Sequence, residues 1–270
     1  MAWRGAAVGL VILALSTAYI FATLPGIDDV TDARLNGSVT LLDRDGEVFA
    51  RRGSQFGGSV EAGNVSPSLV EAIVATEDRR FYWHPGIDPI GIATAMRINM
   101  REGRGPLQGH GGSTITQQVA KLMCLGVAYD ADTWDSEAAY EADCRRTPLW
   151  RKVQEVPWSL ALTLRYGREG VLSIYLNRAY FGGGAYGVAA AMERYFGATA
   201  AEATPQQSAM LAGLLTAPSR FAPTNDLQRS QDRASTVLGL MQRAGYLSQA
   251  EVAAARADPA TLSRAARTER

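Results

Sequence analysis

The sequence predicts a mainly α-helical domain behind a single N-terminal transmembrane helix. Three observations lead there: one long uncharged apolar run at the N-terminus, a succession of helix-start signatures through the rest of the chain, and apolar residues recurring at three- and four-residue spacing. Composition agrees with a globular body of this kind, since the 270 residues are 47% hydrophobic and 20% charged. Lys plus Arg and Asp plus Glu both number 27, and this zero net charge disfavours a nucleic-acid partner.

From Gly5 to Ile27 the run GAAVGLVILALSTAYIFATLPGI carries no charge and reaches the roughly 20 residues that a helix needs to cross a bilayer. Residues 1–27 are therefore predicted to be a membrane anchor. The alternative is a cleaved signal peptide: small residues lie near Ala22, but the run exceeds the ~7–15 residues of such an apolar core. Arg4 precedes the span while Asp28, Asp29 and Asp32 follow it, which places everything after Ile27 outside the cytoplasm.

Residues 28–60 form a juxtamembrane segment in which SVTLLDRDGEVFARRG alternates around Asp45-Gly46 and predicts a short hairpin. Beyond it, helix starts recur. Ser66-Pro67 and Thr147-Pro148 pair an N-cap with a first-turn proline, Thr204 to Gln207 adds a capping box to such a pair, and Ser248 to Glu251 is a further box. Apolar residues follow in helical register, as in Val188, Ala191, Met192 and Tyr195, or Ala234, Val237, Leu238 and Met241. With no internal repeat, one helical domain spans residues 61–258 and a polar tail covers residues 259–270.

Cys124 and Cys144 are the only cysteines. In an oxidising compartment they would close a disulfide around an acidic excursion, stabilising by about 3 kcal/mol on the chain-entropy argument. Two free thiols are the alternative. A zinc site is disfavoured, because neither a CxxC pair nor a histidine pair is present.

Candidate chemistry begins at ATEDRRFYWHPGID. In the helix opening at Ser66-Pro67, Val70, Ile73 and Val74 form an inward stripe whose next member is Glu77. A carboxylate in such a slot is desolvated, which raises its pKa and suits it to act as a base near neutrality. The bland alternative is a structural ion pair with Arg79, Arg80 or His84.

The next motif, GHGGSTITQQVAKL, sets Gly111 and Gly112 before a helix that Ser113 can cap. Thr114, Gln117 and Lys121 then share one polar face opposite Ile115, Val119 and Leu122. A glycine-rich entry to a helix with a lysine two turns along suits a phosphate, though it is no Walker loop; a capped helix with a solvated face is the alternative. In RKVQE, Arg151 and Glu155 stand four residues apart, which alone indicates a surface ion pair. Pro157 interrupts this helix and predicts a kink near Val153.

Taken together, EDRRFYWHPG, GGSTITQQVAK, RKVQE and YLNRAYFGGGAYGVAAAMERYFG resemble, in order and spacing, the motifs of the peptidoglycan glycosyltransferases of family 51. The resemblance runs from about Val60 to Gly245 and includes LAGLLTAPSRFAP. It implies a lysozyme-like, two-lobed helical fold and lipid II as substrate, with the growing lipid-linked glycan as donor. Glu77 matches the base that deprotonates the acceptor 4-hydroxyl. Lys121, Arg151 and Lys152 match pyrophosphate-contacting positions, and Glu155 matches a second acid that orients those cations or assists departure of the pyrophosphate.

On the same resemblance, Asp78, Phe81 and His84 shape the acceptor site, while Ser113, Thr114, Gln117 and Gln118 line the donor side. REGRGPLQGHGG is similar to a mobile segment between the sugar sites. No cofactor is obligatory; a divalent cation, Mg2+ or Mn2+, beside Glu155 is the one candidate, and no metal ligand is certain. The implied partners are lipid II, the glycan, the membrane and other cell-wall synthesis proteins, on the outer or periplasmic side of a bacterial cytoplasmic membrane.

Departures from the family pattern are Thr94, Thr163, Ser173, Ala198 and Gln207, which stand where charged residues are frequent. The chain after Gly245 offers no room for a transpeptidase and no SxxK, SxN or KTG set, so it resembles the monofunctional enzymes. A lipid-II-binding scaffold without turnover and a lytic enzyme remain as alternatives. The departures favour the scaffold, and the cationic set opposes a lytic enzyme, whose polysaccharide substrate carries no pyrophosphate.

Overall fold

The computed structural model describes residues 2–31, 39–42, 44, 48–52, 55–106, 109, 112–146 and 149–268. Asp45-Gly46, Gly111 and Thr147-Pro148, each singled out above, lie outside these residues. The chain is mainly helical, as the sequence predicts. In order come α1 (Ala2–Thr23), α2 (Ile27–Thr31), β1 (Val39–Leu42), β2 (Val48–Arg52), β3 (Gln55–Phe56), α3 (Pro67–Glu77), α4 (Pro89–Arg101), α5 (Ile115–Leu122) and α6 (Glu137–Arg145). Then follow α7 (Leu149–Arg178), β4 (Ala185–Tyr186), α8 (Gly187–Phe196), α9 (Pro205–Leu214), α10 (Pro218–Phe221), α11 (Leu227–Ala244), α12 (Gln249–Ala257) and α13 (Arg264–Thr268). They divide into two compact units, one of Met1–Gly26 with Arg80–Val171 and one of Ile27–Arg79 with Leu172–Arg270.

In the unit that starts at Ile27, α9 packs against both α3 and α11. Every residue of α9 from Ser208 to Leu214 is buried, so this stretch faces neighbours on all sides and serves as the core of its unit. Thr204 and Gln207 close the predicted capping box at its start, and Ser248 with Glu251 does the same for α12. The predicted stripes on α8 and α11 are buried: Val188, Ala191, Met192 and Tyr195 on one, Ala234, Val237, Leu238 and Met241 on the other. Each such large side chain contributes about 1.5–3 kcal/mol by leaving water.

Ser66 occupies the N-cap position of α3 but makes no side-chain cap there. Its hydroxyl instead donates to Ala203 O at 2.7 Å, tying the start of α3 to the entry of α9. The buried residues of α3 are Leu69 and Ala72 to Ala75, with Val70 only half-buried, so the inward face is rotated from the predicted one.

The last turns of α7 fasten the segment before α3. Asn177 bonds both main-chain groups of Val60, at 2.9 and 2.7 Å, and Ser173 Oγ accepts from Ala62 N–H at 2.9 Å. β1 and β2 pair antiparallel with an irregularity at Leu41/Leu42, flanking the predicted hairpin turn, and β3 pairs parallel with β4. The tail predicted from residue 259 carries α13, with Leu262 and Ala266 buried.

In the other unit, α1 contains the span Trp3–Thr23, 21 residues of mean hydropathy 2.1, long and apolar enough to cross a membrane. Most of it is exposed, but Thr17, Ile20 and Leu24 form a buried stripe at its C-terminal end. There the Arg165 guanidinium lies over the Phe21 ring at 5.6 Å, and Tyr166 Oη donates to Pro25 O at 3.0 Å. Both partners are on α7.

Pro157 lies inside α7, yet the departure from helical backbone angles falls at Gly167 (φ 65°, ψ −177°) rather than near Val153. Only glycine adopts that conformation without strain. Cys124 and Cys144 form the disulfide, joining the chain just past α5 to the last turn of α6.

Candidate active site

α3 ends at Glu77 because Asp78 leaves helical geometry while its N–H still donates to Val74 O at 3.0 Å. Glu77 stands one turn beyond buried Ile73 and is half-buried, so it keeps contact with water instead of filling a core slot. Within the same unit Tyr175, on α7, is almost wholly buried. Burial pushes its phenol well above the ordinary range, and the charge of Glu77 adds to that shift. Tyr175 was not singled out in the sequence; the signal was present in YLNRAY, where an aromatic with a polar tip repeats among buried positions.

The remaining candidates belong to the unit with α4 to α6. Phe81 opens a short 3-10 turn, Phe81–Trp83, and is buried with the rings of Tyr82 and His84 edge-on at 5.2 and 6.3 Å. His84 Nδ1 accepts from Gly86 N–H at 3.1 Å, which fixes its ring. Arg80 Nε and Nη2 both donate to Asp88 Oδ2, at 2.9 and 2.6 Å, and Asp88 Oδ1 caps α4 through Gly91 N–H. Burial pushes the Asp88 carboxyl up, but the Arg80 and Gly91 hydrogen bonds and the charges of Arg80 and His84 outweigh it, so the group lies below its usual range.

Thr114, not Ser113, caps α5. It forms a capping box with Gln117, and its hydroxyl also donates to Gly86 O at 2.6 Å. That bond joins the first motif to the second. Gly86 has φ +102°, and a Cβ there would lie 2.6 Å from Ser159 O and from Thr163 Oγ1, so the approach requires glycine. Thr114 and Gln117 are thus buried structural groups and do not present the predicted polar face. Gln118 and Lys121 stand half-buried on α5, three residues apart, while Leu122, expected in the apolar stripe, is 36% exposed. The covered face of α5 is Ile115, Thr116, Val119 and Ala120.

The first turns of α7 carry the cations. Lys152 Nζ donates to Ser113 Oγ and to Glu155 Oε2, each at 2.7 Å, bringing the second motif onto the third. Glu155 is fully buried, so the surface pair with Arg151 expected from the spacing does not form. Its other oxygen, Oε1, has no hydrogen-bond partner among the described residues. Arg151 turns the opposite way, toward Asp143 O at 2.6 Å and Cys124 Sγ at 3.6 Å. Lys152 is thus braced by a buried carboxylate and Arg151 by main-chain carbonyls, so both half-buried cations on the first turns of α7 are held in place.

Of the positions where charged residues are frequent in the resembled family, Ser173 and Gln207 are spent on hydrogen bonds to the main chain. Thr94 bonds Ile90 O within its own helix, and Thr163 Oγ1 is buried without a partner among the described residues.

The transglycosylase family profile matches residues 45–242. Penicillin-binding protein 1A/1B of Bacillus subtilis is 34% identical over 244 residues, which cover 90% of this chain and 24% of that protein. Penicillin-binding protein 1A of Escherichia coli is 35% identical over 231 residues, 86% of this chain and 25% of the relative. A crystal structure of penicillin-binding protein 1A from Haemophilus influenzae is 23% identical, with a TM-score of 0.47 over 86% of this chain and 22% of that one. The chain spans about a quarter of the length of the curated relatives it matches. With a family profile covering both the carboxylate-ended helix and the cation-bearing turns of α7, the chain belongs to the transglycosylase family and is, at the level of that family, a peptidoglycan glycosyltransferase.

Proposed function

We propose that this chain polymerises lipid II into β-1,4-linked glycan by an inverting single displacement that releases undecaprenyl pyrophosphate. The observation that carries this reading is the Arg151, Lys152 and Glu155 cluster, whose two half-buried, braced cations suit a pyrophosphate and have no use in cleaving an uncharged glycosidic bond.

In the proposed step, Glu77 takes the proton of the acceptor 4-hydroxyl as its oxygen attacks the donor's anomeric carbon. The C–O bond to the pyrophosphate breaks, and the electron pair leaves with the pyrophosphate. One base suffices, because the leaving group is already a weak base and needs charge stabilisation rather than a proton. Lys121, Arg151 and Lys152 supply that stabilisation. Asp78, Phe81 and His84 shape the acceptor side, while Ser113, Thr114, Gln117 and Gln118 order the donor side, with Thr114 and Gln117 acting through the capping box. Glu155 Oε1, buried and unpartnered among the described residues, is the atom that would hold a divalent cation. Such an ion would neutralise pyrophosphate charge.

We place the reaction at the outer face of the cytoplasmic membrane, with α1 as anchor. The test is incubation of the detergent-solubilised chain with labelled lipid II beside Glu77→Gln, resolving products by length. Lysozyme-sensitive polymer from the wild type and none from the variant is expected. Lipid II binding without polymer from either would make the chain a scaffold, and polymer from both would remove Glu77 as the base.

A further inference from the structure

The excursion between α5 and α7 is built around Arg151. Residues 127–136 are mostly exposed and contribute little core, yet the segment is ordered by its own contacts: Tyr140 stacks edge-on with Tyr129 and Trp134 at 5.9 and 5.1 Å, and its hydroxyl donates to Val127 O. The disulfide then fastens the end of α6 to the end of α5 at two buried sulfurs. Arg151 lies on this knot. Its Nη1 donates to Asp143 O at 2.6 Å and to Arg146 O at 3.3 Å, and its Nη2 donates to Cys124 Sγ at 3.6 Å. The carbonyls come from the C-terminal end of a helix, where backbone dipoles concentrate negative charge and favour a guanidinium.

We propose that the Cys124–Cys144 knot is a positioning device for Arg151, holding the far end of its guanidinium so that the remaining donors meet a pyrophosphate. An arginine has five N–H donors in one plane. Nη1 is spent on Asp143 O and Arg146 O and Nη2 gives one bond to Cys124 Sγ, which leaves Nε–H without an acceptor among the described residues. Nε and Nη2 line the edge of the fork that can grip an oxyanion bidentately. The knot therefore acts through Arg151 and touches no substrate itself. The inference rests on the pyrophosphate reading above and adds the residues that aim its arginine.

The test measures inorganic pyrophosphate binding by titration calorimetry on the full chain in detergent, a readout that needs no polymerisation. Four proteins are compared: wild type, Arg151→Lys, the Cys124→Ser/Cys144→Ser pair, and all three changes together. The wild type is expected to bind, Arg151→Lys and the cysteine pair each to bind about tenfold more weakly, and the triple variant no more weakly than Arg151→Lys, because coupled residues are not additive. Losses that multiply in the triple variant, a cysteine pair that binds like or better than wild type, or no binding by the wild type would overturn the proposal. Should the cysteine pair fail to fold, dithiothreitol reduction of folded wild type and Arg151→Lys supplies the same comparison, with thermal unfolding as the control. Polymer formation from lipid II, scored separately, decides the functional reading alone.

Discussion

Lys152 and Glu155 form a 2.7 Å ion pair in which the glutamate side chain is buried and the lysine side chain remains 38% exposed. Removing the lysine strands a buried charge, whereas removing both charges does not. Lys152→Met is therefore expected to lower stability by about 2 kcal/mol, less than for a fully buried pair because Lys152 reaches solvent. Adding Glu155→Gln recovers part of the loss. Thermal unfolding in detergent of the single and double variants checks this, and equal stability of the two would refute it.

Gly86 and Gly103 both have positive φ, but only Gly86 faces neighbours that a methyl group would strike. Gly86→Ala is expected to cost about 3 kcal/mol or more, adding overpacking to backbone strain, and to disturb the Thr114 bond that joins two motifs. Gly103→Ala pays only the backbone term, about 1 kcal/mol. Denaturation midpoints of the two variants should differ in that order.

Asp88 titrates below its ordinary value of 3.8 in the folded state, so its contribution to stability is present above that value and disappears as pH falls through the lowered one. Asp88→Asn should be less stable than wild type at pH 7, and the difference should shrink below about pH 4. Unfolding measured from pH 7 down to pH 3 tests the sign.

Glu71 shifts the other way. Burial raises its carboxyl above 4.5 and the charge of Glu251 raises it further, so the charged form costs stability once pH rises through the raised value. Glu71→Gln removes that cost and is expected to raise the Tm at pH 7 by about 1–2 °C, with the gain vanishing near pH 4. A lower Tm at pH 7 would contradict the assignment.

Helix starts and amphipathic faces were legible in the sequence because their causes are local. Thr204 with Gln207 and Ser248 with Glu251 need only three residues of separation, and the stripes on α8 and α11 need only periodicity. Partners set by the tertiary fold were not legible. Ser66 holds the predicted N-cap position but its hydroxyl bonds Ala203, Arg80 bonds Asp88, and Arg151 passes over Glu155 for the carbonyl of Asp143. Spacing along a helix supplies opportunities for pairing, but burial of Glu155 and the reach of Lys152 decide which pair forms. The Gly167 break escaped for a similar reason: proline advertises an irregular helix in any sequence, whereas a glycine reveals one only through its backbone angles.

The stripe Thr17, Ile20 and Leu24 bears on how this protein can be handled at the bench. A shortened version starting at Ile27, made to escape detergent, would also discard the partners of Arg165 and Tyr166. The cut would expose a raw apolar strip where the helix had lain, and the trimmed protein would aggregate or go on demanding surfactant. Retaining the helix up to Gly26 and replacing only its outward-facing residues, such as Leu10, Leu15 and Tyr19, is the route to a water-soluble form that keeps this docking intact.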